Sequence, residues 1–144
     1  MYEDGEGQRS ILFHVSKGDN IYSIPIQNVT RVEHLTGKIA AVSRSKNYIV
    51  GVCRLCGRNI NIVDLGRLLD AEHTSDSKSS TQILLVMANA DVGFLVESVL
   101  GIETLCSRQS PGALSNQLVK NVYLCDEHKE LILELDVPRL LAIC

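Results

Sequence analysis

The stretch that decides the fold is YIVGVCRLCGRNINIVDLGRLL, which runs from Tyr48 to Leu69. Its first arm, Tyr48 to Leu55, is mostly apolar, and the Gly57-Arg58 step that follows has the composition of a turn. In the second arm, Asn59 to Val63, isoleucine and asparagine alternate with the period of a half-buried strand. Leucines then follow at helical spacing, so the stretch predicts a β-hairpin closed by a short helix.

Similar apolar runs and turn residues continue on both sides of this hairpin. Apolar runs flank the turn clusters Lys17 to Asn20, Asn89 to Asp91 and Asp126 to Lys129, and each predicts a pair of antiparallel strands. Pro25 cannot donate to a ladder, so its strand is predicted to lie at an edge or to end there. The serine-rich residues 70–81 predict a loop or linker. The chain is therefore predicted to be all-β.

Two segments of the first half recur in the second half. IPIQNVTRVE, from Ile24 to Glu33, matches FLVESVLGIE, from Phe94 to Glu103, at an offset of 94 − 24 = 70. DLGRLL, from Asp64, matches DVPRLL, from Asp136, at an offset of 136 − 64 = 72. The repeat predicts an internally duplicated fold, and each aspartate is predicted to cap the helix that follows it. An all-β domain with evenly spaced but unrelated hairpins is the alternative.

The strand phase disagrees between the two copies. When the aspartates are aligned, the inward-facing Ile60 and Ile62 fall out of step with the leucines at positions 131, 133 and 135. A slip of one residue turns every side chain of a strand to the opposite face. The sequence therefore predicts either a bulge in one copy or a looser repeat.

Composition and charge exclude several classes of function. The 144 residues are 45% hydrophobic and contain no tryptophan, so a core of leucine, isoleucine and valine is expected. The formal net charge is -3, without the basic stripe typical of nucleic-acid binding. The longest apolar runs, such as Ile83 to Ala88, are too short to span a bilayer. Residues 1–8 are expected to be a flexible lead without a signal core. We therefore expect a soluble, cytoplasmic protein that does not bind nucleic acid or insert into the membrane.

The CxxC motif of Cys53 and Cys56 raises a second hypothesis. With Cys125 and His128 it would provide a Cys3His set for zinc. The two parts of that set fall in corresponding hairpins of opposite copies, which disfavours a common site. A redox CxxC needs a helix N-terminus, whereas Cys53 lies in an apolar strand. A zinc-binding or redox-sensing β protein remains the alternative, and otherwise no cofactor is expected.

Motifs for catalysis are not found in the sequence. The four histidines are scattered along the chain. The sequence has no nucleophile elbow and no phosphate-binding glycine loop. We therefore expect no enzyme activity.

The hairpin from Tyr48 to Leu69 resembles the signature segment of the CheW family, the scaffold proteins of bacterial chemotaxis. That family shows a GV-x-NLRG turn and then a V-x-V-IDLR-x-x-L strand and helix. Gly51-Val52, Gly57 and the IVDL of Ile62 to Leu65 fall on this pattern. FHVSKGDNIYSIPIQNVTRVE, VGFLVESVLGIETL and LILELDVPRLL are similar to further family segments in the same order. The resemblance extends from Ile11 to Leu141.

The sequence departs from the family pattern at four places. Cys56 stands where the family has the arginine of its turn, and Ser43 to Lys46 replaces the usual prolines. Gly66 replaces a helix-flanking arginine, and Asn121 replaces a glycine of the last hairpin. The chain is identified as a divergent member, and the contacts that use the missing arginine are the ones expected to change.

The resemblance implies a fold of two intertwined five-stranded SH3-like β-barrels with short helices. It implies one CheW-like domain over residues 9–143, with approximate subdomains 9–72 and 80–143 that exchange strands. It also implies a non-catalytic adaptor that couples the cytoplasmic tip of chemoreceptors, the methyl-accepting chemotaxis proteins, to the regulatory domain of a CheA-type histidine kinase. Such an adaptor is cytoplasmic and associates with the membrane through receptor arrays.

Family correspondence assigns the partner contacts to two groups of residues. The receptor side comprises Val29, Arg31, Val32, Gly51, Arg54, Leu55, Cys56 and Gly57. The kinase side comprises Val96, Ser98 and Val99. Val29 and Val32 also have the spacing of core residues, and Gly51 and Gly57 suit bulge and turn geometry, so these alternatives stay open.

Overall fold

The structure is a computed structural model that describes residues 7–15, 20–35, 40–41, 48–55, 57–69, 83–106, 108–109, 118–125 and 130–144. Most of the predicted lead, residues 1–8, and the whole predicted linker, residues 70–81, lie outside these ranges. The strands within them are β1 (Gln8–His14), β2 (Ile21–Pro25), β3 (Val29–His34), β4 (Ala40–Ala41), β5 (Ile49–Leu55), β6 (Arg58–Asp64), β7 (Ile83–Met87), β8 (Val92–Val96), β9 (Ser98–Leu105), β10 (Arg108–Gln109), β11 (Val119–Cys125) and β12 (Glu130–Leu135). The helices are a 3-10 turn (Ile26–Asn28), α1 (Leu65–Leu69) and α2 (Val137–Ile143).

The strands form two sheets, and each sheet combines elements from both halves of the chain. Sheet 1 has the order β10-β11-β12-β2-β1-β9, and sheet 2 has the order β3-β7-β8-β6-β5-β4. The first hairpin of each half therefore joins the later strands of the other half, through the parallel pairs β12/β2 and β6/β8. Pro25 is the last residue of β2. The prediction was that its strand lies at an edge or ends at the proline, and the second of these is observed.

The predicted fold class is confirmed, with a difference in strand number and closure. Each sheet is built on five longer strands and has a sixth, the two-residue β4 or β10, at one edge. The two edge strands of a sheet do not pair with each other within the described ranges. The sheets are therefore open rather than closed barrels.

One large apolar core is shared by the two sheets. It takes side chains from both sheets and from both helices. Phe13 and Leu135 of sheet 1, Leu85 and Phe94 of sheet 2, and Leu65 of α1 are among its fully buried members. Each sheet also covers a smaller core of its own. Because the shared core needs side chains from both sheets, burial on one sheet depends on the other.

An aspartate directly precedes and caps each α-helix, as predicted. The Asp64 Oδ1 accepts a hydrogen bond from the Arg67 backbone N–H, and the Asp136 Oδ1 accepts one from the Arg139 backbone N–H. Both distances are 3.2 Å. These bonds satisfy donors that a helix N-terminus leaves unpaired, so both aspartates have a structural role.

The strand registers support the internal duplication. A bulge between Ile49 and Gly51 in β5 recurs between Val119 and Asn121 in β11, at an offset of 119 − 49 = 70. The parallel pairs β6/β8 and β12/β2 also have equivalent registers under the two offsets found in the sequence. The bulge therefore occurs in both copies, and the prediction of a bulge in only one copy was wrong.

The phase conflict of the last strand arises because β12 is buried on both faces. Ile62 corresponds to Glu134 at the offset of 72, and both side chains are buried. Leu131, which the sequence placed on the inward face, is exposed. Leu133, adjacent to Glu134 and so on the opposite face, belongs to the shared core. A strand that is covered on both faces does not alternate between apolar and polar residues. The prediction of which residues face inward depended on that alternation.

The buried Glu134 carboxylate is hydrogen-bonded by two neighbours on β11. Asn121 Nδ2 donates to Glu134 Oε1 at 2.9 Å, and the Tyr123 hydroxyl is hydrogen-bonded to the same carboxylate. Burial, followed by the charge of Glu134 and this hydrogen bond, raises the pKa of Tyr123 to about 12. Ionisation of Tyr123 therefore opposes folding.

We expect Tyr123 to make the protein less stable in alkaline solution. The pKa of Tyr123 is raised from 10.0 to about 12, so the folded state keeps a proton that the unfolded chain loses. This stabilisation is complete below the lower value and is lost as the pH rises towards the higher one. Tyr123→Phe should remove that part of the pH dependence of the urea midpoint. An equal alkaline loss in both proteins would contradict the assignment.

Candidate protein-binding surfaces

Two equivalent edge strands carry exposed apolar side chains. β3 is the edge of sheet 2 and β9 is the edge of sheet 1. Val32 on β3 is 42% exposed, and Leu100 and Ile102 on β9 are 48% and 52% exposed. Val32 and Ile102 are related by the offset 102 − 32 = 70. We call the surface around Val32 the β3 edge surface and the surface around Leu100 and Ile102 the β9 edge surface.

Each edge surface borders the shared core. Val32 is the ladder partner of Leu85, and Ile102 is the ladder partner of Ile11. Directly opposite residues of an antiparallel pair share one face of the sheet. Leu85 and Ile11 both belong to the shared core, so the exposed Val32 and Ile102 lie at its two margins. The β3 edge thus exposes one large apolar side chain, and the β9 edge exposes two.

The predicted receptor-side residues on β3 lie at the β3 edge surface. Val29 is half-buried and packs against the shared core, as its core alternative predicted. Arg31 is exposed and forms an ion pair with Glu33 on the same strand. Val32 is exposed. The segment therefore presents one apolar side chain beside a charged pair.

The predicted receptor-side residues on the β5–β6 hairpin differ in accessibility. Gly51 is buried at the bulge of β5, and Leu55 is half-buried against the core of sheet 2. Arg54 is exposed, and its Nη1 donates to Asn59 Oδ1 at 3.1 Å. Gly57 has a φ of 76°, which glycine adopts without the strain a side chain would bring. Cys56 lies outside the described residues.

Of the predicted kinase-side residues, Val96 ends the inner strand β8, and Ser98 and Val99 begin the edge strand β9. Val96 is buried in the shared core, so it has little area to offer a partner. Ser98 and Val99 are half-buried, and Val99 packs against the shared core. Leu100 and Ile102 are more exposed, and they were not among the residues predicted from the sequence. The repeat contained a signal for Ile102, because the same offset relates it to Val32.

A second pair of exposed leucines was also missed. Leu124 and Leu131 are ladder partners on the β11–β12 hairpin, and both are exposed. Their equivalents in the first copy are Arg54 and Asn59, which hydrogen-bond to each other. The hairpin of sheet 1 therefore presents an apolar pair where the hairpin of sheet 2 presents a polar one.

The predicted zinc or redox set is divided between the two sheets. Cys53 is buried on β5 of sheet 2, and Cys125 lies on β11 of sheet 1. Cys56, His128 and the side chain of Cys125 lie outside the described residues. In the described part of the chain, no group of three or more histidine, cysteine, aspartate or glutamate side chains is placed to hold a metal ion. The structure gives that alternative no support.

None of the helices in the described ranges has the length and apolar character needed to cross a membrane.

The chain is a small β domain of two open sheets with exposed apolar side chains on an edge strand of each sheet. A family model described as "CheW-like domain" matches residues 9–143, and the chain therefore belongs to the CheW-like family, a family of non-catalytic scaffold proteins of chemotaxis.

Two known proteins illustrate the relationship. The chain is 32% identical over 71 residues to "Chemotaxis protein CheW" of Thermotoga maritima. This match covers 49% of the chain and 46% of that protein, so the matched stretch spans less than half of the curated relative. The crystal structure of the scaffolding protein TtCheW from Thermoanaerobacter tengcongensis superposes with a TM-score of 0.71 at 19% identity. It covers 90% of this chain and 89% of that one, which shows the shared fold.

Proposed function

We propose that this protein is a cytoplasmic adaptor that couples chemoreceptors to a CheA-type histidine kinase. The observation that carries the proposal is the pair of edge surfaces at which the shared core reaches the exterior. Apolar side chains exposed on two separate edge strands of one domain would let an adaptor hold two partners. The protein acts by binding, with no cofactor and no catalytic step, and it associates with the membrane through the receptor array.

The β3 edge surface is the proposed receptor side. A chemoreceptor tip is helical, and an amphipathic helix binds by laying its apolar face into an apolar groove. Val32 supplies an exposed apolar side chain at the margin of the shared core. Arg54 lies on β5, which β7, β8 and β6 separate from β3 in sheet 2, whereas Arg31 and Glu33 lie beside Val32 as a charged pair. This combination resembles the apolar centre and polar rim of a protein interface.

The β9 edge surface is the proposed kinase side. The regulatory domain of a CheA-type kinase is expected to have the same fold as this chain, so two similar edges would pack against each other. Leu100 and Ile102 supply most of the exposed apolar area, with the half-buried Val99 beside them. Contacts between unlike surfaces close into rings when the rotation allows it. The exposed Leu124 and Leu131 are the proposed second contact of such an assembly.

A reciprocal pair of variants tests the assignment of the two surfaces. We expect Ile102→Asp to weaken binding of the kinase regulatory domain at least about tenfold, because a buried charge without a partner is costly at an interface. Val32→Asp should weaken binding of a receptor-tip peptide by a similar factor. Each variant is the control for the other partner, and isothermal titration calorimetry measures both affinities.

The pattern of losses decides between assignments. We expect Ile102→Asp to bind the receptor-tip peptide with the affinity of the wild-type protein. We expect Val32→Asp to bind the kinase regulatory domain with the affinity of the wild-type protein. If one variant lost affinity for both partners equally, the substitution would have disturbed the fold and not one binding surface. If Ile102→Asp lost the receptor tip and kept the kinase domain, the two assignments would be reversed.

A further inference from the structure

One buried row of side chains is polar in sheet 1 and apolar in sheet 2. Ladder partners place four residues of sheet 1 side by side, namely Leu12, Ser23, Glu134 and Asn121. The equivalent row of sheet 2 is Val86, Gly93, Ile62 and Gly51. Ser10, two residues before Leu12 on the same face of β1, corresponds to Leu84 of β7. The two copies therefore share a register and differ in interior chemistry.

Two hydroxyl groups on this face of sheet 1, one in the row and one beside it, have no hydrogen-bond partner among the described residues. Ser10 and Ser23 are 0% exposed, and Glu134 is 4% exposed. Neither Ser10 Oγ nor Ser23 Oγ has a partner among the described residues. Buried side-chain polar atoms in folded proteins nearly always bond to protein or to ordered water. A bound group that supplies these missing bonds is therefore expected.

The ladder brings the two hydroxyls and the carboxylate together. Ser23 and Glu134 are ladder partners on neighbouring parallel strands. Ser10 pairs with Pro25 while Leu12 pairs with Ser23, so Ser10 and Ser23 are diagonal neighbours. Glu134 uses Oε1 for Asn121, and a carboxylate has further acceptor positions. The site thus offers two hydroxyl donors and one acceptor.

We propose that one ordered internal water molecule binds between Ser10, Ser23 and Glu134. The water accepts a hydrogen bond from each hydroxyl and donates one to the carboxylate, which gives the roughly three bonds that buried waters make. A calcium ion would need about six to eight oxygen ligands, and three side chains do not provide them. The site is a fixed part of sheet 1 and is independent of partner binding.

The equivalent position in sheet 2 is a built-in control. Leu84 lies over Gly93 so closely that a Cβ added there would be 2.7 Å from the Leu84 Cγ. Ile62 completes this position, and all three residues are without side-chain polar atoms. We expect this position to be dry, as apolar interiors are.

A high-resolution crystal structure of the full chain tests the proposal directly. The expected result is a single density peak within hydrogen-bond distance of both hydroxyls and of Glu134, with no peak beside Leu84 and Gly93. No density, with both hydroxyls bonded to backbone carbonyls, would overturn the proposal. A peak at metal–oxygen distances with a larger set of ligands would also overturn it, because the occupant would be a cation.

The stability of a double variant provides a second test, in which the direction of the change in the urea midpoint decides the outcome. Removal of two hydroxyls from a dry site relieves two unpaired groups, so Ser10→Ala with Ser23→Ala would raise the urea midpoint. If the hydroxyls of Ser10 and Ser23 hold a water molecule, their removal also removes the hydrogen bond from that water to Glu134. The urea midpoint should then fall. We expect the fall. A rise would overturn the proposal, and Ser23→Ala alone serves if the double variant does not fold.

Discussion

Phe94→Ala should lower the free energy of unfolding by about 3–5 kcal/mol, the range for large-to-small changes of buried aromatic residues. Phe94 is 0% exposed, and its ladder partners are Val63 and Leu85, both in the shared core. The resulting cavity would lie where side chains of both sheets meet. We therefore expect both sheets to lose stability together, in one urea transition.

Amide resonances from the two sheets distinguish this outcome from independent unfolding. Leu124→Ala is the matched control, because Leu124 is exposed and a surface change of this kind typically shifts stability by less than about 0.5 kcal/mol. If Phe94→Ala unfolded sheet 2 at low urea while sheet 1 kept the wild-type midpoint, the shared core would not join the two sheets into one cooperative unit.

Gly93→Val should cost about 3 kcal/mol, near the upper end for overpacking of a core. A Cβ on Gly93 would lie 2.7 Å from the Leu84 Cγ and 2.7 Å from its Cδ1, and valine adds two methyl groups to that clash. Leu84 is fully buried, so it has no free space to move into. Chemical denaturation of the variant measures the loss.

A double-mutant cycle with Leu84→Ala isolates the cause of this loss. Leu84→Ala alone makes a cavity and is also destabilising. In the double variant the valine fills that cavity, so we expect it to be more stable than the sum of the two single losses predicts. Strict additivity would show that the cost of Gly93→Val has another origin. Gly66→Ala is a further control, because its nearest contact would be 3.4 Å.

Much of the fold was predictable because several local signals agree. Alternating isoleucines, turn residues at Gly57 and Asn89, and aspartates before two short helices all point to hairpins closed by helical turns. The repeat at offsets of 70 and 72 then relates the two halves. The strand exchange itself has no local signal, because pairing of β6 with β8 depends on which residues share a core.

The surfaces were less predictable because exposure at a sheet edge is a tertiary property. Val96 ends a predicted strand and is buried, whereas Ile102, in a segment for which no strand was predicted, is 52% exposed. The difference arises because β8 is an inner strand and β9 is an edge strand. The burial of Glu134 was also not predicted, because glutamate side chains are rarely buried.

The two copies differ in the chemistry of equivalent positions. Sheet 1 has a polar interior row and an exposed leucine pair, whereas sheet 2 has an apolar row and the Arg54–Asn59 pair. The two copies therefore share strand registers while differing in both interior and surface side chains.

Sedimentation analysis of a three-component mixture tests the adaptor function most directly. The components are this protein, the regulatory domain of a CheA-type kinase and a helical receptor-tip fragment, the last two from the same organism. We predict a ternary complex in which this protein holds both partners at once, with neither partner lowering the affinity for the other. Competition between the partners for one surface, or no binding of the kinase domain, would contradict the proposed function while leaving the fold and the family unchanged.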